Sequence, residues 1–187
     1  MADLEILAIS GSLRKRSTNT ELLLAAIALA PPGTTIDLYD GLDRLPHFNP
    51  DLEPTEIEPV MDLKRRLQRA DGLMISTPEY ARGVPGSLKN ALDWLVSGSE
   101  FVDKPVALLS ASSRSTYAFD ALRTTLTTMS GRFVDEASVT VPLLGRNLDA
   151  AAIAADPELS RSVRSALDAF CAAIRQRSEE AASEAER

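Results

Sequence analysis

Cysteine, histidine and basic charge are all in short supply in this chain, and each shortage closes off a class of chemistry. The single cysteine, Cys171, permits no intrachain disulfide. It falls in a late helical pattern, where a buried thiol is expected rather than a nucleophile. The single histidine, His47, cannot by itself build a zinc site, and no Ser–His–Asp or Cys–His set stands out. Lys and Arg number 20 against 27 Asp and Glu, a net charge of −7. A broad nucleic-acid surface wants the opposite sign. No apolar run approaches the ~20 residues that a membrane span needs. Met1-Ala2-Asp3 leads directly into an apolar stretch and does not read as a signal peptide. The cytoplasm is therefore the expected compartment. Phosphate-loop signatures are missing as well. The chain has no G-x-x-x-x-G-K-[ST] loop and, near its start, no G-x-G-x-x-G fingerprint.

What the chain does have is an alternation. Its 187 residues are 44% hydrophobic and 25% charged, suiting one globular domain. That domain is expected over residues 1–178, with a fraying Ala/Glu-rich tail over 179–187. Apolar runs at 4–9, 72–76 and 105–110 read as strands buried on both faces. Residues 34–39 alternate weakly, and 133–141 reads as a fifth strand. Helical patterns fall between them. The first is expected to start near Asn19 through a Thr18/Glu21 capping box, and Gly131 is expected to cap the fourth. The last starts at Asp156-Pro157 and is expected to run to about Arg177. Five strands alternating with five helices imply a parallel sheet covered on both faces. Ligands then bind beyond the carboxyl ends of the strands. The loops after the first, third and fourth strands are the most distinctive in the chain.

The first of these loops, Ser10 to Asn19 (SGSLRKRSTN), is suited to an anion. A helix start offers unpaired N–H groups and positive dipole. Ser12, Ser17, Thr18 and Asn19 add donors, and Arg14 adds a charge with fork geometry. For Lys15 and Arg16 a solvated loop is an equally good reading. One glycine, Gly11, among many hydroxyls suits a terminal monophosphate better than a pyrophosphate. FMN carries such a group, and its ring would reach the loops after the third and fourth strands. Trp94 reads as packing, and Lys89, Asn90 and Asp93 as helix caps or bridges. Local packing is the expectation for His47 and Phe48.

Two motifs in this chain resemble those of the NADPH-dependent FMN reductases, the flavodoxin-like group with chromate, quinone and azo-dye reductases. One is Gly11-Ser12-Leu13-Arg14-x-x-Ser17-x-Asn19. The other is Pro78-Glu79-Tyr80-x-x-x-x-Pro85-Gly86-x-Leu88-Lys89-Asn90-Ala91-x-Asp93-Trp94. The resemblance implies an α/β, flavodoxin-like three-layer sandwich with a five-stranded parallel sheet in order 2-1-3-4-5. It implies that Gly11, Ser12, Arg14, Ser17, Thr18 and Asn19 hold the FMN phosphate. Pro78, Glu79, Tyr80 and Ala81, with Ser110 and Ser112, would serve the ring. Many members carry Asn where this chain has Ala81, and a glycine-rich loop where it has Ser-Ser-Arg-Ser. Arg82 would meet the nicotinamide nucleotide or lie in a subunit contact. The implied chemistry is flavin-centred and ping-pong, with NADPH or NADH as donor and a quinone, chromate, azo compound or ferric chelate as acceptor. A homodimer or dimer of dimers is also implied. The readings that stay open beside it are a flavodoxin-type electron carrier and a flavin-binding module without turnover.

Overall fold

A computed structural model describes residues 3–185. Five elements set its plan: β1 (Leu4–Ser10), β2 (Thr34–Tyr39), β3 (Gly72–Ser76), β4 (Pro105–Ser110) and a last position shared by β5 (Arg132–Phe133) and β6 (Val139–Thr140). The sheet runs β2-β1-β3-β4-β5, with β6 also on β4, and every pairing is parallel. The expected strand order is thus observed. Between the strands lie α1 (Thr18–Ala28), α2 (Glu58–Arg69), α3 (Gly86–Leu95) and α4 (Thr116–Thr128). After β6 come α5 (Ala150–Ala155) and α6 (Pro157–Ala185).

The strands have apolar residues on both faces, and their period of two sorts them into separate cores. Ile6, Ala8, Met74, Ala107 and Leu109 pack with α1 and α6 residues such as Leu22, Leu23, Val163 and Phe170. Leu7, Ile9, Leu73, Ile75, Val106 and Leu108 pack with Leu63, Leu67, Leu92 and Leu122 from α2, α3 and α4. Each strand therefore sits between two helical layers. Trp94 is 1% exposed and donates its indole N–H to the Pro46 carbonyl at 2.9 Å. Phe48 meets its ring edge-on at 5.1 Å. Asn90 closes the same loop, donating to the Pro46 carbonyl and accepting from the Phe48 N–H. Cys171 is buried.

Four local expectations are corrected. The stretch 133–141 is not one strand: a 3-10 turn at Asp135–Ala137 interrupts it. The Leu108 N–H, facing the gap, is taken by the Ser138 hydroxyl, which in turn donates to the Val134 carbonyl. Adjacent acids Asp135 and Glu136 are exposed there, and Asp135 pairs with Arg123 at 2.6 Å. The capping box is absent because Thr18 is already helical and Ser17 is the flanking residue, with no side-chain cap. Glu21 instead accepts the Ala150 N–H at 2.8 Å. The left-handed residue after α4 is Ser130 (φ 66°), not Gly131. Gly131 follows it and donates to the Leu126 carbonyl; a Cβ there would stand 2.5 Å from the Phe101 ring. The helix α5 was not expected at all, and α6 continues past Arg177 to Ala185. Its start is as expected: Asp156 accepts the N–H groups of Glu158 and Leu159. The Leu159 bond, followed by Arg146, holds the Asp156 carboxyl below its usual range.

Candidate functional site

The three distinctive loops meet where β1, β3 and β4 end side by side. Ile9 and Ser10 lie level with Ile75 and Ser76, and the Gly11 N–H extends the pairing to the Ser76 carbonyl at 2.9 Å. Gly11 is needed for space. A Cβ there would lie 2.2 Å from Thr77 Oγ1 and 2.8 Å from Thr77 Cβ. The chain turns away through a hydroxyl network. Ser10 Oγ meets Thr20 Oγ1 at 2.7 Å, and the Arg14 N–H donates to Ser12 Oγ at 3.3 Å. Ser76 Oγ donates to Asn19 Oδ1 at 3.0 Å. Ser12, Ser17 and Asn19 are buried despite being polar, so the start of α1 is fixed before any ligand arrives.

The second loop is strained. Tyr80 and Gly83 exchange both backbone hydrogen bonds, at 3.1 and 3.0 Å. Between them Ala81 (φ 50°) and Arg82 (φ 59°) are both left-handed. That is a type I′ turn, whose central positions favour Asn-Gly. Left-handed non-glycine residues cost on the order of 1–3 kcal/mol each. The loop is held against α4 twice: Glu79 Oε2 accepts the Ala118 N–H at 3.0 Å, and the Arg82 guanidinium lies 5.0 Å from the centre of the Tyr117 ring. The third loop is closed by serines. Ser110 Oγ donates to the Ser112 carbonyl at 2.7 Å, and Ser112 Oγ accepts the Arg114 N–H at 3.1 Å.

These loops enclose adjoining hollows rather than one. Thr18, Asn19, Pro78, Glu79 and Ser112 line a hollow of about 370 Å³, with Leu144 and Gly145 opposite. Ser17 and Thr18 also line a hollow of about 590 Å³ against Asn147 to Asp149. Ser12 and Arg14 face the other side of the loop, lining about 220 Å³ with Tyr39 and Asp40. Tyr80, Ala81 and Arg82 are exposed, and Ser110 is buried behind Ser112. The wall at 144–149 was missed in the sequence. Its signal was the turn chemistry of Gly145 and Asn147, both left-handed here (φ 78° and 47°).

Residues 4–143 match the family described as NADPH-dependent FMN reductase. The chain belongs to this family. The NADPH-dependent FMN reductases among its relatives include an NAD(P)H-dependent FMN reductase of Pseudomonas aeruginosa, 40% identical over 59% of this chain and 61% of that one. An NADPH azoreductase of Bacillus sp. is 33% identical over 71% of this chain and 72% of its own. A 2-hydroxy-1,4-benzoquinone reductase of Burkholderia sp. is 43% identical over 49% of each. The chain thus spans about half to three fifths of the first curated relatives it matches. In three dimensions it is similar to FerB, a flavoenzyme NAD(P)H:(acceptor) oxidoreductase from Paracoccus denitrificans. The TM-score is 0.76 at 28% identity, covering 92% of this chain and 98% of that one. The reductase-family fold and the loop cluster therefore coincide in this chain.

Proposed function

We propose that this chain is an FMN-dependent oxidoreductase that takes reducing equivalents from NADPH or NADH and passes them to a small acceptor. Quinones, chromate, azo compounds and ferric chelates are the acceptor classes. The observation that carries the reading is the cleft itself. A hollow of about 370 Å³ lies at the strand ends, beside a helix start that no side chain caps. The residues fit FMN. Unpaired N–H groups at a helix start favour a phosphate, and three polar side chains there (Ser12, Ser17 and Asn19) are already buried. The hollow falls within the roughly 300–1,000 Å³ of small-molecule sites.

In this reading Ser17, Thr18 and Asn19 hold the phosphate at the start of α1, the exposed Arg14 turns onto it from the other side of the loop, Ser12 braces that loop through the Arg14 N–H, and Gly11 lets the β1 loop close on Thr77. Pro78, Glu79, Tyr80 and Ala81 present backbone to one edge of the ring, while Ser110 and Ser112 shape the opposite edge. Glu79 is a positioning residue, since its carboxylate is committed to the Ala118 N–H. Arg82, stacked on Tyr117, forms the rim that substrates pass. When bound, FMN supplies the acceptance and release of reducing equivalents. One open face used in turn by donor and acceptor makes the kinetics ping-pong. The exposed apolar side chains Tyr80, Tyr117 and Leu144 around the rim suit a homodimer or dimer of dimers. A nicotinamide donor fits the cytoplasm, the compartment we propose; no helix among the described residues is long and apolar enough to cross a membrane.

The test is the visible spectrum of the purified protein, reconstituted with FMN, before and after anaerobic NADPH. Flavin bands that bleach, and return when a benzoquinone is added, are the expected result. Steady NADPH oxidation with the quinone present separates an enzyme from an electron carrier. Failure to take up FMN overturns the reading.

A further inference from the structure

The hollow assigned to the flavin ring has an uncommitted charge on its wall. Among the residues that line it, the charged ones are Glu79 and Arg114. Glu79 is already engaged: its carboxylate accepts the Ala118 N–H at 3.0 Å, so its negative charge rests on the first turn of α4, the positive end of that helix. Arg114 stands two residues before α4. Its backbone N–H is fixed on Ser112 Oγ. Its guanidinium enters no hydrogen bond, ion pair or ring contact among the described residues. The facing wall, Leu144 and Gly145, carries no charge, and the nearby Arg82 lies on the Tyr117 ring. In a chain of net charge −7, the balance inside this hollow is positive.

We propose that Arg114 is the charge partner of the reduced flavin, holding it as an anion and raising its reduction potential. The inference rests on the oxidoreductase reading above. A hydride carries two electrons and one proton. Its transfer leaves the nicotinamide with one more positive charge and turns a neutral ring into an anion. A cation on the wall of the hollow favours that anion over the neutral oxidised ring. When an acceptor takes the hydride, together with a proton from water, the negative charge is discharged and Arg114 is again uncommitted. One feature opposes the idea. The Arg114 side chain is exposed, where water screens it. A ring in the hollow displaces water from that wall, so the attraction is reduced rather than abolished, and its size is that of a partly exposed pair.

The experiment measures the midpoint potential of the FMN-loaded protein by equilibration with reference dyes across neutral and mildly alkaline pH, without turnover. It compares the wild type with Arg114→Gln and Arg114→Lys. Removing the charge is expected to weaken reduced FMN relative to oxidised FMN roughly fivefold, the upper range of an exposed pair. At about 30 mV per tenfold for two electrons, that lowers the potential of Arg114→Gln by about 20 mV at alkaline pH. Arg114→Lys keeps most of the wild-type value, and raising the salt concentration shrinks the difference. The pH profile separates this role from a structural one. A ring reduced to an anion takes up one proton with two electrons, so its potential falls by about 30 mV per tenfold drop in proton concentration; a ring reduced to the neutral form falls twice as steeply. The pH at which the steep limb gives way to the shallow one is expected to rise by about 0.7 unit in Arg114→Gln, the same fivefold. Equal potentials in wild type and Arg114→Gln overturn the inference, as does a shift of the same size at every pH. Loss of oxidised FMN from Arg114→Gln also overturns it, by assigning Arg114 to the flavin phosphate. A raised KM for NADPH with an unchanged potential does so as well, by assigning it to the nucleotide. A wild type that takes up no FMN sinks the oxidoreductase reading and this inference together, whereas FMN uptake with an unchanged potential sinks this inference alone.

Discussion

Replacing Gly11 with alanine tests how tightly the first and second loops must close. The new Cβ would lie 2.8 Å from Thr77 Cβ, 2.2 Å from Thr77 Oγ1 and 3.1 Å from Leu88 Cδ2. Carbon atoms settle at roughly 3.5–4.0 Å, so the loops must part by about 1 Å. Leu88 is fully buried and gives little room. Overpacking of this kind costs about 1–3 kcal/mol. The same movement pulls on the Gly11–Ser76 hydrogen bond that sets the start of the proposed phosphate loop. Gly11→Ala is therefore expected to lower unfolding free energy by about 1–3 kcal/mol and to weaken FMN binding at least tenfold. Urea denaturation and flavin fluorescence titration read the two effects. A second substitution assigns the cause. Thr77→Ala removes Oγ1 but keeps Cβ, so it rescues Gly11→Ala only partly; Thr77→Gly removes both and rescues more. The coupling between positions 11 and 77 should reach about 1 kcal/mol or more. Additive effects would refute the steric argument, and so would wild-type stability in Gly11→Ala.

Ala81→Gly relieves one left-handed residue (φ 50°) and is expected to raise stability by up to about 1 kcal/mol, read as a higher Tm; a lower Tm would show that the turn is not strained. Tyr39 gives a pH signature. Burial, then Asp62, pushes its phenol up to about 12, and its hydroxyl meets the Pro59 carbonyl. The unfolded phenol ionises near 10, so this contribution is complete below pH 10 and is lost between about pH 10 and 12. Melting curves across that window should fall more steeply for the wild type than for Tyr39→Phe. Parallel curves would contradict the assignment.

The strands β3 and β4 were legible to the residue, because each is a continuous apolar run ending in a serine at the loop it feeds. The two motif loops were legible for a related reason. Hydroxyls, prolines and a basic triplet at the ends of buried strands have few structural uses. The break between β5 and β6 was hidden because Phe133, Ala137, Val139 and Val141 all fall on the alternate positions of one strand face; what breaks the strand is Ser138 answering Leu108 from across the sheet. Glu21 was misassigned because its partner lies 129 residues away, and local pattern favoured the nearer cap. The same distance concealed the wall at 144–149. Trp94 was correctly read as packing, but its partner, the Pro46 carbonyl, belongs to a loop whose path depends on the folded α3.

That separation between Glu21 and Ala150 also bears on how the chain is made. Leu22, Leu23 and Ala26 of α1 share one core with Val163 and Phe170 of α6, which are synthesised near the end. Ribosomes add roughly 5–20 residues per second, so α1 waits on the order of ten seconds for those α6 partners. During that interval β1 has its neighbours β2 and β3 and a helix on each face, α1 on one and α2 on the other, but the layer that α1 shares with α6 is only half built. Translation pauses placed before residue 157 would lengthen that wait.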